Sequence, residues 1–238
     1  MRTLLATLLR ARRTRRGLPA SVRERLQGVR RGFAERPALD QPLALARFVA
    51  FDLETTGANM YRDRIISIGA VAVTARTVRH DDAFEAVLRQ ERSSEVANIL
   101  VHQIGGQQQL AGGDPLEALV SCLEFVGESR IVAFRAEFDA TVFRREVREV
   151  LGLRAWPRFM DLAAILPALF PGTNNDTLDE WVGHFSLPPI GRHHAIADAY
   201  ANAQLMLLVL DAAQRVGVET LRDLRDLERA QRWLGRRR

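Results

Sequence analysis

The chain has 238 residues, 47% of them hydrophobic, which suits one globular domain with appendages or at most two small domains. No apolar run reaches the ~18 residues that a membrane span requires. The single cysteine, Cys122, excludes an intrachain disulfide or a cysteine-based zinc site and points to a reducing cytoplasm.

All 34 basic residues are arginine, and the net charge of +5 is unevenly spread. Residues 1–46 hold eleven arginines against three acids, a net +8, so residues 47–238 carry a net −3. This first segment reads as a basic helical extension suited to phosphate backbones or an acidic partner, or as a plain solvated arm. Its arginine-rich start resembles a transit peptide. Against that, "SVRE" (Ser21–Glu24) is a capping-box signature opening a helical pattern through Val22, Leu26 and Val29. Pro37 and Pro42 bound a linker.

"RFVAFDLE" then predicts a buried strand, "RIISIGAVAV" (Arg64–Val73) a second and "TVRHDDAFEAVL" a third. Short connections make these an antiparallel meander. "PLEALVSCLEFVGE" from Pro115 has helical spacing, "RIVAF" is a short strand, and "DATVFRREVREVLG" is a helix ending at Gly152. "RFMD" is a further strand before the helix "LAAILPALF". Thr177, with Glu180 three residues on, opens a helix in "TLDEWVGHFSL". "AIADAYANAQLMLLVLDAAQRVG" is a long apolar helix, and a last amphipathic helix over 214–238 aligns Leu221, Leu224 and Leu227. Three strands followed by alternating helix and strand predict an α/β fold: a mixed sheet, meander plus parallel strands, flanked by helices.

Asp52 and Glu54 lie two apart at the end of the first strand, so their side chains share a face. Adjacent anions are costly unless a cation lies between them, and carboxylate oxygens suit Mg²⁺ or Mn²⁺. A strand end reaching solvent would leave the pair harmless. Asp139, after "RIVAF", reads singly as a helix cap. Asp198, one turn into the long apolar helix, reads singly as a solvent-facing residue.

As a set, these positions resemble the DEDDh exonuclease superfamily, to which the proofreading epsilon subunit of bacterial DNA polymerase III belongs. The family's D-x-E-T-T-G is matched by "FDLETTG", and its H-x-x-x-x-D by "HHAIAD", with His193 and Asp198. Its V-A-H-N-A-x-F-D becomes "VAFRAEFD" (Val132–Asp139), with Phe134 and Arg135 replacing the usual His-Asn pair. "VHQIG" and "TLDEWVGHFSLP" also resemble family segments, and the resemblance covers about residues 47–213. It implies a ribonuclease-H-like exonuclease domain with two divalent ions, Mg²⁺ or Mn²⁺. Asp52, Glu54 and Asp198 would hold one ion and Asp52 the second, with Asp139 contributing directly or through water.

The resemblance places His193 as general base, its near-neutral pKa suiting proton transfer, with His194 as the alternative. It assigns Thr55, Thr56 and Gly57 to the terminal nucleotide, His102 to the substrate path and Phe138 to substrate binding. Asp161 is expected to support the site without binding metal. Arg135 is open to a phosphate contact, to solvent, or to pairing with Glu137. The implied activity is 3′→5′ exonucleolysis of single-stranded or frayed DNA, releasing nucleoside monophosphates, with proofreading in trans beside a polymerase subunit. The alternatives are an exoribonuclease processing RNA 3′ ends and a non-catalytic module that binds nucleic acid or a polymerase.

Overall fold

The computed structural model describes residues 17–35, 38–154, 157–173, 175–188, 191 and 193–235. Seven of the eleven arginines of the basic arm therefore lie outside the described residues, as does its "LLATLL" stretch. In chain order the helices are α1 (Ala20–Ala34), α2 (Val96–His102), α3 (Gly106–Leu110), α4 (Pro115–Val126), α5 (Glu137–Leu151), α6 (Leu162–Leu169), α7 (Leu178–His184), α8 (Ala195–Arg215) and α9 (Leu221–Gly235). The strands are β1 (Phe48–Thr55), β2 (Ile65–Thr74), β3 (Thr77–Val87), β4 (Arg130–Ala133) and β5 (Arg158–Asp161).

The sheet has the order β3-β2-β1-β4-β5. β1–β2 and β2–β3 pair antiparallel, whereas β1–β4 and β4–β5 pair parallel. This is the expected mixed sheet. β1 lies at its centre and is buried from Phe48 to Phe51, because helices cover both of its faces. Phe48, Ala50, Val71 and Val73 pack with α6, α7, α8 and α9 around Trp181, Met206 and Leu224. Val49, Phe51 and Leu53 pack on the other face with α1, α4 and α5, where Phe51 meets the edge of Phe143 with ring centroids 5.3 Å apart. Each such fully buried side chain contributes about 1.5–3 kcal/mol.

Both flanking segments join this core. α1 buries Val22, Leu26, Val29 and Phe33, and Arg25 forms ion pairs with Glu117 and Glu124 of α4. Ser21 lies inside α1, not at its cap; the preceding Pro19 supplies a carbonyl to Arg23 and no side-chain cap. The segment after Pro37 zips onto the chain before α9: Leu43 N–H donates to Glu219 O at 2.8 Å and Arg222 N–H to Leu39 O at 2.7 Å. α9 buries Leu221 and Leu224, as its spacing predicts. α2 and α3 were not predicted; at seven and five residues they are short, and they bury only His102 and Gln109 respectively.

One contact sets the position of α8. Gly69 on β2 faces that helix, and a Cβ there would lie 2.1 Å from the backbone carbon and oxygen of Ala195. Gly69 is the register partner of Asp52. Glycine in a strand interior is otherwise unfavourable, and here it marks close backbone approach. Gly69→Ala is expected to push the start of α8 off the sheet and destabilise the fold by about 3 kcal/mol or more. Urea unfolding with no loss of stability would contradict this packing.

Candidate active site

Asp52 and Glu54 emerge on the β1 face that α8 covers, at the point where burial gives way to half-exposure. Asp198 reaches them from the first turn of α8. One carboxylate oxygen from each of the three lies within 4.8 Å of the others. Asp198 Oδ2 accepts the backbone N–H of His193 at 3.3 Å. A helix N-terminus favours a carboxylate in its first turn, which offsets part of the repulsion.

Asp139 stands beside this trio. It is not the cap of α5; it lies in the first turn after Ala136 and is buried. Burial pushes its carboxyl up to about 8, with the charges of Glu54 and Asp161 adding to the effect. The amides of Asp139 itself and of Leu53 work the other way. Leu53 lies between Asp52 and Glu54, so Asp139 touches the peptide linking two acids of the trio. Three converging hard carboxylates beside a buried fourth make a donor set that fits a divalent cation.

Asp161 caps α6 through Ala163 N–H and meets Arg232 at 3.3 Å. Burial raises its carboxyl, which Arg232 lowers.

The turn after β1 is tightly wired. Thr55 Oγ1 donates to Gly57 O at 2.7 Å, and Thr56 Oγ1 accepts Arg64 N–H at 2.9 Å. Asn98 of α2 donates to Thr55 O at 3.0 Å, tying α2 to the site. A Cβ on Gly57 would lie 2.5 Å from Asp63 Oδ2.

The histidines occupy different surroundings. His193 is exposed and adopts a left-handed φ of 61°, while the half-buried His194 is the N-cap residue of α8. His102 is buried: its Nδ1 accepts Ile104 N–H at 3.0 Å, and its Nε2 lies 3.4 Å from Ser94 Oγ. Desolvation lowers its pKa, and nearby His194 lowers it further. His80, by contrast, stacks on Tyr200.

The second motif is rearranged. Phe138 packs with the Leu53 side of β1, opposite the face that carries Asp52 and Glu54. Phe134 packs against the α8 side. Arg135, with φ of 53°, donates to Asp176 O at 3.0 Å and does not pair with Glu137.

Two positioning residues escaped the sequence reading. Gly69 permits the close approach of α8. Asn202, one turn beyond Asp198 and fully buried, donates from Nδ2 to Phe51 O at 3.1 Å, next to Asp52. A glycine inside a β-branched run, and a lone amide at i+4 from an acid on an apolar helix, were the available signals.

Comparison with known proteins agrees with this arrangement. The RNase_T family, described as Exonuclease, matches residues 49–206. A DNA polymerase III PolC-type protein of Thermotoga maritima is 29% identical over 195 residues, covering 79% of this chain and 14% of that protein. The PolC-type protein of Caldanaerobacter subterraneus is 27% identical over 179 residues, covering 74% of this chain and 12% of that protein. The DNA polymerase III subunit epsilon of Aquifex aeolicus is 24% identical over 167 residues, covering 69% of this chain and 80% of that protein. The chain therefore spans only about an eighth of the PolC-type relatives. Among solved structures, E. coli exonuclease I in complex with a dT13 oligonucleotide superposes with a TM-score of 0.61 at 18% identity, over 72% of this chain and 42% of that one. On the extent of the family match, this chain belongs to the RNase_T exonuclease family.

Proposed function

We propose that the chain is a metal-dependent 3′→5′ exonuclease that releases nucleoside monophosphates from single-stranded or frayed DNA. The observation that carries this reading is the convergence of Asp52, Glu54 and Asp198 within 4.8 Å. Asp52, Glu54 and Asp198 would hold one Mg²⁺ or Mn²⁺, and Asp52 a second, with Asp139 directly or through water. Ions held there would supply Lewis-acid chemistry, acidifying an attacking water and stabilising a leaving oxygen in phosphodiester hydrolysis.

The remaining tasks belong to the chain. His193, exposed at the mouth of the trio, takes the proton of the attacking water. Thr55, Thr56 and Gly57 position the terminal nucleotide through a turn held rigid by its own hydrogen bonds. His102 orients the α2 side of the path, and Phe138 shapes the second motif from beneath. DNA is favoured over RNA by likeness to polymerase III components and to an exonuclease crystallised with dT13. On the same likeness a polymerase subunit is the expected partner, with proofreading in trans, and residues 47–213 form the catalytic unit. No helix among the described residues is long and apolar enough to cross a membrane, which is compatible with action in the cytoplasm.

A 3′-labelled oligonucleotide incubated with Mn²⁺ should lose mononucleotides from that end, and Asp52→Ala should abolish the release. Metal-independent release, or an active Asp52→Ala protein, would remove this reading; faster cleavage of matched RNA would shift it to exoribonuclease. His193→Ala should lower turnover by roughly 10²–10⁴-fold while sparing metal affinity. Damage confined to His194→Ala would move the base by one residue.

Metal binding should also depend on pH through Asp139. A carboxyl raised from 3.8 to about 8 destabilises the fold progressively as pH climbs between those values, and fully above them. A cation beside it favours the carboxylate and removes that destabilisation. The rise in Tm on replacing EDTA with Mn²⁺ should therefore be larger at pH 8 than at pH 6, and Asp139→Asn should flatten the difference. A larger rise at pH 6 would contradict the assignment.

A further inference from the structure

On the β5 edge of the sheet, α5, β5 and α9 enclose a cavity of about 750 Å³. Six arginines line it: Arg130, Arg144, Arg158, Arg225, Arg229 and Arg232. Only two acids, Glu137 and Glu228, line it with them. We infer that this cavity is a phosphate-binding site, holding the backbone of a nucleic-acid strand a few nucleotides behind the 3′ end at the acid trio. The assignment rests on the nuclease reading above and extends it to a second contact with the same substrate.

Three of the arginines already have carboxylate neighbours. Arg232 meets Glu228 at 2.9 Å and Asp161 at 3.3 Å, Arg225 meets Asp226 at 2.8 Å, and Arg229 lies 4.0 Å from Asp226. Arg144 and Arg158 form no ion pair among the described residues. Arg144 Nε is buried and makes no hydrogen bond, and its guanidinium lies over the Phe159 ring at 5.7 Å. Burial disfavours the Arg144 charge, a cost that an anion entering the cavity would offset. A planar guanidinium matches phosphate oxygens in bidentate fashion.

Position argues for nucleic acid over an acidic protein segment. The cavity reaches Ala136 and Glu137, which begin the helix carrying Asp139. Arg232 binds Asp161, whose charge bears on Asp139. From there the lining follows Arg158, Phe159 and Met160 of β5 for roughly 10 Å at ~3.3 Å per residue, room for about three stacked nucleotides at ~3.4 Å each. A strand whose 3′ end lies among the trio can thus continue along the arginines.

The test uses the full chain with EDTA present, so that binding is read without cleavage. Fluorescence anisotropy follows labelled oligothymidylates from the dinucleotide to about twelve nucleotides, across a salt series. Wild-type affinity should climb with length. In Arg144→Gln/Arg158→Gln that climb should largely vanish, with roughly tenfold weaker binding of the longest strand. Its salt slope should fall by about 1.4, at ~0.7 per phosphate contact. Arg144→Lys/Arg158→Lys should restore much of the loss, and an unchanged Tm and Mn²⁺ response would show that the fold and the acid trio are intact. Unchanged affinity and slope, in a protein whose wild type still releases nucleotides, would overturn the cavity assignment alone. Displacement by polyglutamate as effective as by unlabelled oligonucleotide would also overturn it, in favour of an acidic protein partner. A wild type that neither binds nor cleaves any strand would overturn both readings.

Discussion

The backbone of Ala195 presses against β2 where a side chain at position 69 would have to be. With only hydrogen at Gly69, the first turn of α8 settles onto the sheet directly over the register partner of Asp52. Asn202, a turn further on, fastens the same helix to Phe51 O. These two contacts, one steric and one a hydrogen bond, bring Asp198 to acids more than 140 positions earlier in the chain. Remove the close approach and the trio becomes a pair of strand-end acids and a helix acid, with no shared donor set.

Bringing carboxylates together is electrostatically unfavourable, and the fold answers with oriented backbone amides. Asp198 and Asp139 both lie in the first turns of helices, and each accepts backbone N–H groups, from His193 and from Leu53 respectively. These dipoles offset part of the repulsion, while burial first and the neighbouring charges second keep the Asp139 carboxyl raised. An arrangement that keeps its acids this close, on rigid elements, has a standing preference for divalent cations. That preference links the packing of α8 to hydrolytic chemistry.

Much of this was legible in the residues. The alternation around Asp52 and Glu54 places both on one face, and the β-branched runs flanking them give the meander. The capping box of α7 at Thr177 and Glu180 forms as its pattern predicts. Less legible was whatever depends on tertiary approach. Asp139 reads as a helix cap because local preference favours that role, yet the packing of α5 buries it against β1. Ser21 reads as a cap, but α1 begins one residue earlier and draws its stability from Leu26 and Phe33 in the core. The Arg135 backbone turns left-handed and its guanidinium goes to Asp176, a partner 41 residues away that no local pattern announces. Gly69 carried a signal, but a glycine in a strand marks close approach without naming what approaches.

The arginines divide by burden. Arg25, Arg64 and Arg232 answer carboxylates of the same chain and knit helices together, whereas Arg144 and Arg158 face a cavity beside the acid centre. Residues 47–238 are net acidic, yet they gather a local cluster of arginines at this edge of the sheet. The central claim concerns the acids, and anomalous diffraction from Mn²⁺-soaked crystals tests it most directly. The account predicts a manganese peak about 2.1 Å from carboxylate oxygens of Asp52, Glu54 and Asp198 together. Crystals in which manganese binds elsewhere, or leaves those three carboxylates uncoordinated at saturating concentration, would contradict it.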